Sequence, residues 1–241
     1  MKIHTFASQE ETAIGMIEKI IDLVTNHKEN KFHIAFSGGS TPKLMFDLWV
    51  KEYNDKTPWD KLCVYLVDER CVPPEDAESN YGMMKAHLLD HVSIPSDQVF
   101  RIRGEDDPEE EAKRYSKLVY EQLPKSKDGY PQFDLVLLGA GDDGHTSSIF
   151  PKQEDLLRSL DFYLPSVNPY TGQKRIALTG EPMINASQVY FLITGANKAK
   201  VVADIFESNE NGPAAYIAHF SLSTEIFIDE DASTELDRIH E

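Results

Sequence analysis

The chain has 241 residues, and its 24 Lys+Arg against 41 Asp+Glu give a formal net charge of −17 at pH 7. The 41% hydrophobic and 10% aromatic content is enough for a buried core and excludes global disorder. Such acidity argues against DNA or RNA, whose phosphates need lysine and arginine stripes, and against an anionic membrane surface. A small anionic substrate would need a local positive island.

Residues 9–27 carry Ala13, Ile14, Ile17, Ile20, Ile21 and Val24 at helical spacing and read as a helix. His33–Ser37 is a short apolar run ending in Gly-Gly and reads as a strand. A helix follows from Pro42, with Ser40 or Thr41 as its cap. Leu62–Val67 is the next strand, Asn80–His91 a helix, Val99–Ile102 a short strand and 108–123 a charged helix. Phe133–Leu138, Arg175–Thr179 and Val189–Thr194 read as further strands, followed by a helix over Ala196–Phe206. Glu225–Ile228 is a last strand before a short acidic helix. Strands separated by helices of this length imply crossover units. The expected fold is α/β: a three-layer αβα arrangement around a mostly parallel, Rossmann-like sheet with helices on both faces. No linker or repeat interrupts the chain, so residues 1–241 read as a single domain. The stretches 124–132 and 207–213 read as surface loops.

No apolar run approaches the roughly 18 residues of a membrane span. The N-terminal stretch is acidic and amphipathic and does not read as a secretory signal. The two cysteines, Cys63 and Cys71, form neither a disulfide framework nor a CxxC motif, so a cytoplasmic location is expected. Cys63, within an apolar run, reads as a small buried residue.

In an open parallel sheet, ligands bind beyond the carboxyl ends of the strands, and several strand ends here are chemically unusual. Gly38-Gly39-Ser40-Thr41-Pro42 places two glycines and two hydroxyls at a helix start, an arrangement suited to phosphate. The same residues also suit a plain tight turn. No Gly-Lys-Ser/Thr follows, so this is not a Walker loop. Asp68-Glu69-Arg70 sets three charges at the end of a buried strand. There Arg70 can grip a phosphate in two hydrogen bonds, or pair with Asp68 to pin the loop.

Gly139-Ala140-Gly141-Asp142-Asp143-Gly144-His145 formally matches GxGxxG after a strand. Two aspartates would face a pyrophosphate there, and Pro151 comes too soon for a long helix, so a dinucleotide site is not expected. A histidine flanked by a carboxylate in a glycine-rich strand-end loop instead suits a general base. Lys174-Arg175 and Gly195-Ala196-Asn197-Lys198 add cations at strand ends, each of which also reads as an ordinary solvated residue. His87 and His91 lack the HExxH pattern, and no GxSxG elbow is present, so neither a metal nor a serine nucleophile is expected.

Taken together, GGSTP at 38–42, VDER at 67–70, SNYG at 79–82, LLGAGDDGHTSSIFP at 137–151, RIALT at 175–179 and GANKA at 195–199 resemble the 6-phosphogluconolactonase family. The likeness spans roughly residues 10–235. The related glucosamine-6-phosphate deaminases typically carry DEY and a DGHIAFNEP-like run at the corresponding places. The chain departs from the lactonase pattern in having Asp142 where a proline is usual, and 168–173 (Asn-Pro-Tyr-Thr-Gly-Gln) in place of a proline-rich lead.

The resemblance implies hydrolysis of 6-phospho-D-glucono-1,5-lactone to 6-phosphogluconate, in the oxidative pentose phosphate pathway. His145 would act as base on water, and either Asp143 or Asp68 would orient the imidazole or the sugar hydroxyls. Gly39, Ser40, Thr41, Arg70, Arg175 and Lys198 would surround the phosphate. No cofactor or metal is implied, and the expected assembly is a monomer or small homo-oligomer. The alternatives are an amino-sugar phosphate deaminase on the same fold and a non-catalytic sugar-phosphate-binding module.

Overall fold

The computed structural model describes residues 1–236. Ten strands are present among them: β1 (Lys2–Phe6), β2 (Phe32–Phe36), β3 (Leu62–Leu66), β4 (Asp68–Arg70), β5 (Val99–Phe100), β6 (Leu135–Leu138), β7 (Tyr163–Val167), β8 (Lys174–Leu178), β9 (Val189–Ile193) and β10 (Thr224–Asp229). The helices are α1 (Gln9–Asn26), α2 (Ser40–Tyr53), α3 (Asn80–His87), α4 (Pro108–Gln122), α5 (Glu154–Leu157), α6 (Gly180–Ile184), α7 (Ala199–Glu207), α8 (Pro213–Phe220) and α9 (Glu230–Ser233).

Seven strands form one parallel sheet in the order β1-β10-β9-β6-β2-β3-β5. Its inner strands are buried along their whole length, as expected of a parallel sheet covered on both faces. From β2 the chain steps outward through β3 to β5. It then returns past β2 to β6 and steps the other way through β9 to β10. Right-handed crossovers therefore place α1, α2 and α3 on one face and α4, α7 and α8 on the other. Contacts between α1 and α2, α2 and α3, and α7 and α8 agree with that division. The three layers are the expected ones. The reversal falls between the neighbouring strands β2 and β6, so the crevice beyond their carboxyl ends is where such a sheet receives a ligand.

Several local expectations need correction. The strand expected at 175–179 is present as β8, but it lies in a separate antiparallel sheet of order β4-β8-β7. Asp68-Glu69-Arg70, expected at the end of the preceding strand, forms a short strand of its own, β4, in that second sheet. β1, β7 and α8 were not expected. β7 carries Pro165, which is tolerated because β7 is an edge strand. The helix expected over 80–91 ends at His87, and a single 3₁₀ turn covers Leu89–His91.

Neither Ser40 nor Thr41 caps α2. Gly39 occupies the cap position at φ 114°, a conformation glycine adopts freely, and the helix starts at Ser40 with no side-chain cap. Four other helices are capped by polar side chains: Ser8 for α1, Ser79 for α3, Asp107 for α4 and Asp229 for α9. Cys63 is buried as expected, and burial pushes its thiol up to about 11.

Candidate active site

A cavity of about 230 Å³ opens at the β2/β6 crevice. Ser37 and Gly38 line it from the end of β2, and Gly139, Ala140 and Gly141 from the end of β6. Asp68 and Arg70 of β4, Arg175 of β8, Asn80 of α3, Lys198 and the run His145–Ser148 complete the wall. Residues from both sheets thus meet at one point.

The 139–148 loop presents His145. Gly141 N donates to His145 O at 2.8 Å, closing a tight turn. A side chain at Gly141 would put its Cβ 2.1 Å from His145 Nδ1, so only glycine lets the imidazole lie against this turn. Asp143 Oδ1 accepts from the backbone N of His145 at 3.1 Å and lies 2.6 Å from Nδ1. Burial pushes the Asp143 carboxyl up, but hydrogen bonds from Tyr170 and His145 outweigh it and hold the group below its ordinary value. In a neutral imidazole whose Nδ1 donates to this carboxylate, Nε2 is the ring's acceptor. The imidazole packs at 4.6 Å against the buried ring of Phe150.

Asp68 bonds other groups. Its Oδ2 accepts from Ser148 Oγ, and its Oδ1 and backbone carbonyl accept from Asn80 Nδ2 at 3.3 and 2.9 Å. Of the two aspartates that were candidates for orienting the imidazole, Asp143 is the one bonded to it. Ser148 also accepts from Arg175 at 3.1 Å and so links Asp68 to that guanidinium. Glu69 is buried at the start of α3, where it accepts from Ser79 Oγ and from the backbone N of Arg70, Asn80 and Tyr81. Its burial outweighs those bonds and pushes the carboxyl up.

Three cations, Arg70, Arg175 and Lys198, line the cavity. Arg70 and Arg175 are direct partners across the β4–β8 ladder. Two like charges in that register repel, and an anion between them removes the penalty. Burial pulls Arg175 below its ordinary value; Asp68 opposes this and Arg70 adds to it. Arg70 donates to Glu78 O at 2.5 Å, while its buried Nε–H has no partner among the described residues. Lys198 bonds Ala140 O at 3.0 Å and Asp142 Oδ1 at 2.5 Å. The aspartate that stands where a proline is usual therefore holds a lysine of the cavity wall.

Gly39, Ser40 and Thr41 form the next turn beyond Ser37 and Gly38, with Gly39 and Ser40 exposed at the start of α2. Sequence reasoning gave no role to Asn80, Ser148, Phe150 or Tyr170. The available signals were SNYG for Asn80 and the glycine-rich run for Ser148, which adopts φ 55°. His87 pairs with Asp47 at 2.7 Å and His91 bonds Ala86 O at 2.9 Å, both away from the cavity wall. Among the described residues no group of three or more His, Cys, Asp or Glu is placed to hold a metal, and no helix is long and apolar enough to cross a membrane. A larger cleft of about 670 Å³ borders Asp143 and Phe150 but reaches neither His145 nor the arginine pair.

Known proteins are similar to this chain over most of its length. A 6-phosphogluconolactonase from Treponema pallidum is 42% identical over 205 residues, covering 85% of this chain and 84% of that protein. One from Haemophilus influenzae is 35% identical over 227 residues, covering 92% and 95%. The solved structure of 6-phosphogluconolactonase from Trypanosoma brucei superposes with a TM-score of 0.85 at 27% identity, covering 98% of each chain. The family model described as glucosamine-6-phosphate isomerases/6-phosphogluconolactonase matches residues 7–226, and the chain belongs to that family.

Proposed function

We propose that the protein is a lactone hydrolase that opens 6-phospho-D-glucono-1,5-lactone to 6-phosphogluconate, with His145 as the base. The observation that carries this reading is the pairing, in one crevice, of an Asp143-held imidazole with two cross-strand arginines. Curated 6-phosphogluconolactonases at 35–42% identity support the substrate class.

A δ-lactone is an activated ester, so its hydrolysis needs little beyond a placed water and a base. Nε2 of His145 takes a proton from water as the water oxygen bonds to the lactone carbonyl carbon. The tetrahedral adduct then collapses, the bond from that carbon to the ring oxygen breaks, and the imidazolium returns the proton to the ring oxygen. Asp143 stays ionised and stabilises the transient imidazolium. A positioned base of this kind contributes about 10²- to 10⁴-fold. Arg70 and Arg175 hold the phosphate, helped by Lys198 and by the uncapped start of α2 at Gly39, Ser40 and Thr41. The unpartnered Nε–H of Arg70 and the like-charge register of the two arginines support that placement.

The lactone is generated in situ and its hydrolysis followed in EDTA, with glucosamine 6-phosphate tested separately for ammonia release. Hydrolysis well above the spontaneous rate, without ammonia, is expected. Ammonia release without lactone hydrolysis would make the protein a deaminase. Binding without either would make it a sugar-phosphate-binding module.

A further inference from the structure

Tyr170 sits on the 168–173 loop between β7 and β8 and is 70% exposed. An exposed tyrosine usually leaves its hydroxyl in water, but this one donates to Asp143 Oδ2 at 2.7 Å. The other oxygen of the same carboxylate holds both His145 nitrogens described above. Tyr170 also meets the ring of Phe150 edge-on at 6.2 Å, and Phe150 is the surface against which His145 packs. The loop is itself fixed. Asn168 Oδ1 accepts from Tyr170 N at 2.9 Å, and Gly172 N donates to Asn168 O at 2.8 Å. Gln173 at its end bonds Arg175 Nε and Glu78.

We propose that Tyr170 is a positioning residue for the reaction: its hydroxyl fixes the Asp143 carboxylate, and through it the orientation and tautomer of His145. A carboxylate turns easily about its terminal torsion. Asp143 is carried on a loop with glycines on both sides, and both bonds from His145 fall on Oδ1, so Oδ2 is left free to swing about it. A bond to that opposite oxygen removes the freedom. Both donors also favour the ionised form that must face the imidazolium. The inference rests on the reading of His145 as the base.

The test compares Tyr170→Phe with Thr171→Ala in lactone hydrolysis. Tyr170→Phe keeps the ring and its contact with Phe150 and deletes only the hydroxyl; Thr171→Ala alters the same loop without touching Asp143. Tyr170→Phe should lower kcat about 3- to 10-fold, the size of one hydrogen bond of typical net strength, with KM nearly unchanged. Thr171→Ala should leave both constants at wild-type values. Unchanged kcat in Tyr170→Phe overturns the proposal, as does an equal fall in both variants or a change confined to KM. His145→Ala is assayed alongside. If His145→Ala is inactive while Tyr170→Phe is normal, only the role of Tyr170 fails. If His145→Ala keeps its turnover, the reading of the base fails.

Discussion

If Lys198 holds the phosphate as proposed, it exchanges one anion for another when substrate arrives. Its ammonium pairs with Asp142, which is 68% exposed, and a pair of that kind contributes only about 0–1 kcal/mol. On that reading a phosphate dianion displaces such a partner readily, and Asp142 is a weak competitor. Asp142→Asn should therefore lower KM for the phosphorylated lactone about twofold to fivefold with kcat unchanged. Steady-state kinetics check this, and an unaltered KM would place Lys198 outside the phosphate site. Arg70→Ala should raise KM for the phosphorylated lactone while leaving an unphosphorylated δ-lactone little affected. Equal losses on both substrates would remove Arg70 from phosphate binding. At this scale His145 and Asp143 were legible because two residues apart on a glycine-rich loop is a local relation. Ser148, Asn80 and Tyr170 were not, because their partners lie 80, 12 and 27 positions away.

The 139–148 loop works as a unit because its turn leaves no room for a side chain under the imidazole. Gly141→Ala would place a methyl 2.1 Å from Nδ1 and 2.2 Å from Cε1 of His145, so the ring must move. A displacement of about an ångström in a reacting group costs on the order of 100-fold in rate. The expected result is a large loss of kcat in a protein whose circular dichroism is that of the wild type. Wild-type turnover would show that the imidazole does not work from this position. The parallel strands around the loop were readable because burial on both faces leaves continuous apolar runs such as LVLL in β6 and VYFLI in β9. β1 was not, being a half-exposed edge strand of sequence KIHTF, and Pro165 masked β7. The cap of α2 was misread because Gly39 makes the turn by its backbone alone.

Across the molecule, the site and the pH-sensitive part of the core stand at opposite ends of the sheet. His33, near the start of β2, is buried and bonded to Tyr65, and burial, with His27 and Lys31, lowers it from 6.5 to about 4. The unfolded chain takes up a proton there below pH 6.5 that the folded chain refuses until about pH 4. Stability from this residue is thus present above pH 6.5 and lost as pH falls towards 4, by roughly 2 kcal/mol between pH 7 and pH 5. Denaturant unfolding of the wild type and His33→Gln over that range should show the flatter slope in the variant; parallel slopes would exclude His33.

The alternation of strands and helices was enough to read the layers and the parallel sheet. It did not reveal the second sheet, because antiparallel pairing of β4 with β8 joins segments about a hundred residues apart. That sheet carries the two arginines to the β2/β6 crevice and makes a positive island in a protein of net charge −17. The most direct measurement is the initial rate of 6-phosphoglucono-δ-lactone hydrolysis by wild type and His145→Ala, each corrected for the spontaneous reaction. The wild type should accelerate hydrolysis strongly, and His145→Ala should lose about 10²- to 10⁴-fold of kcat. A variant within a few-fold of wild type would contradict the assignment of His145 as the base.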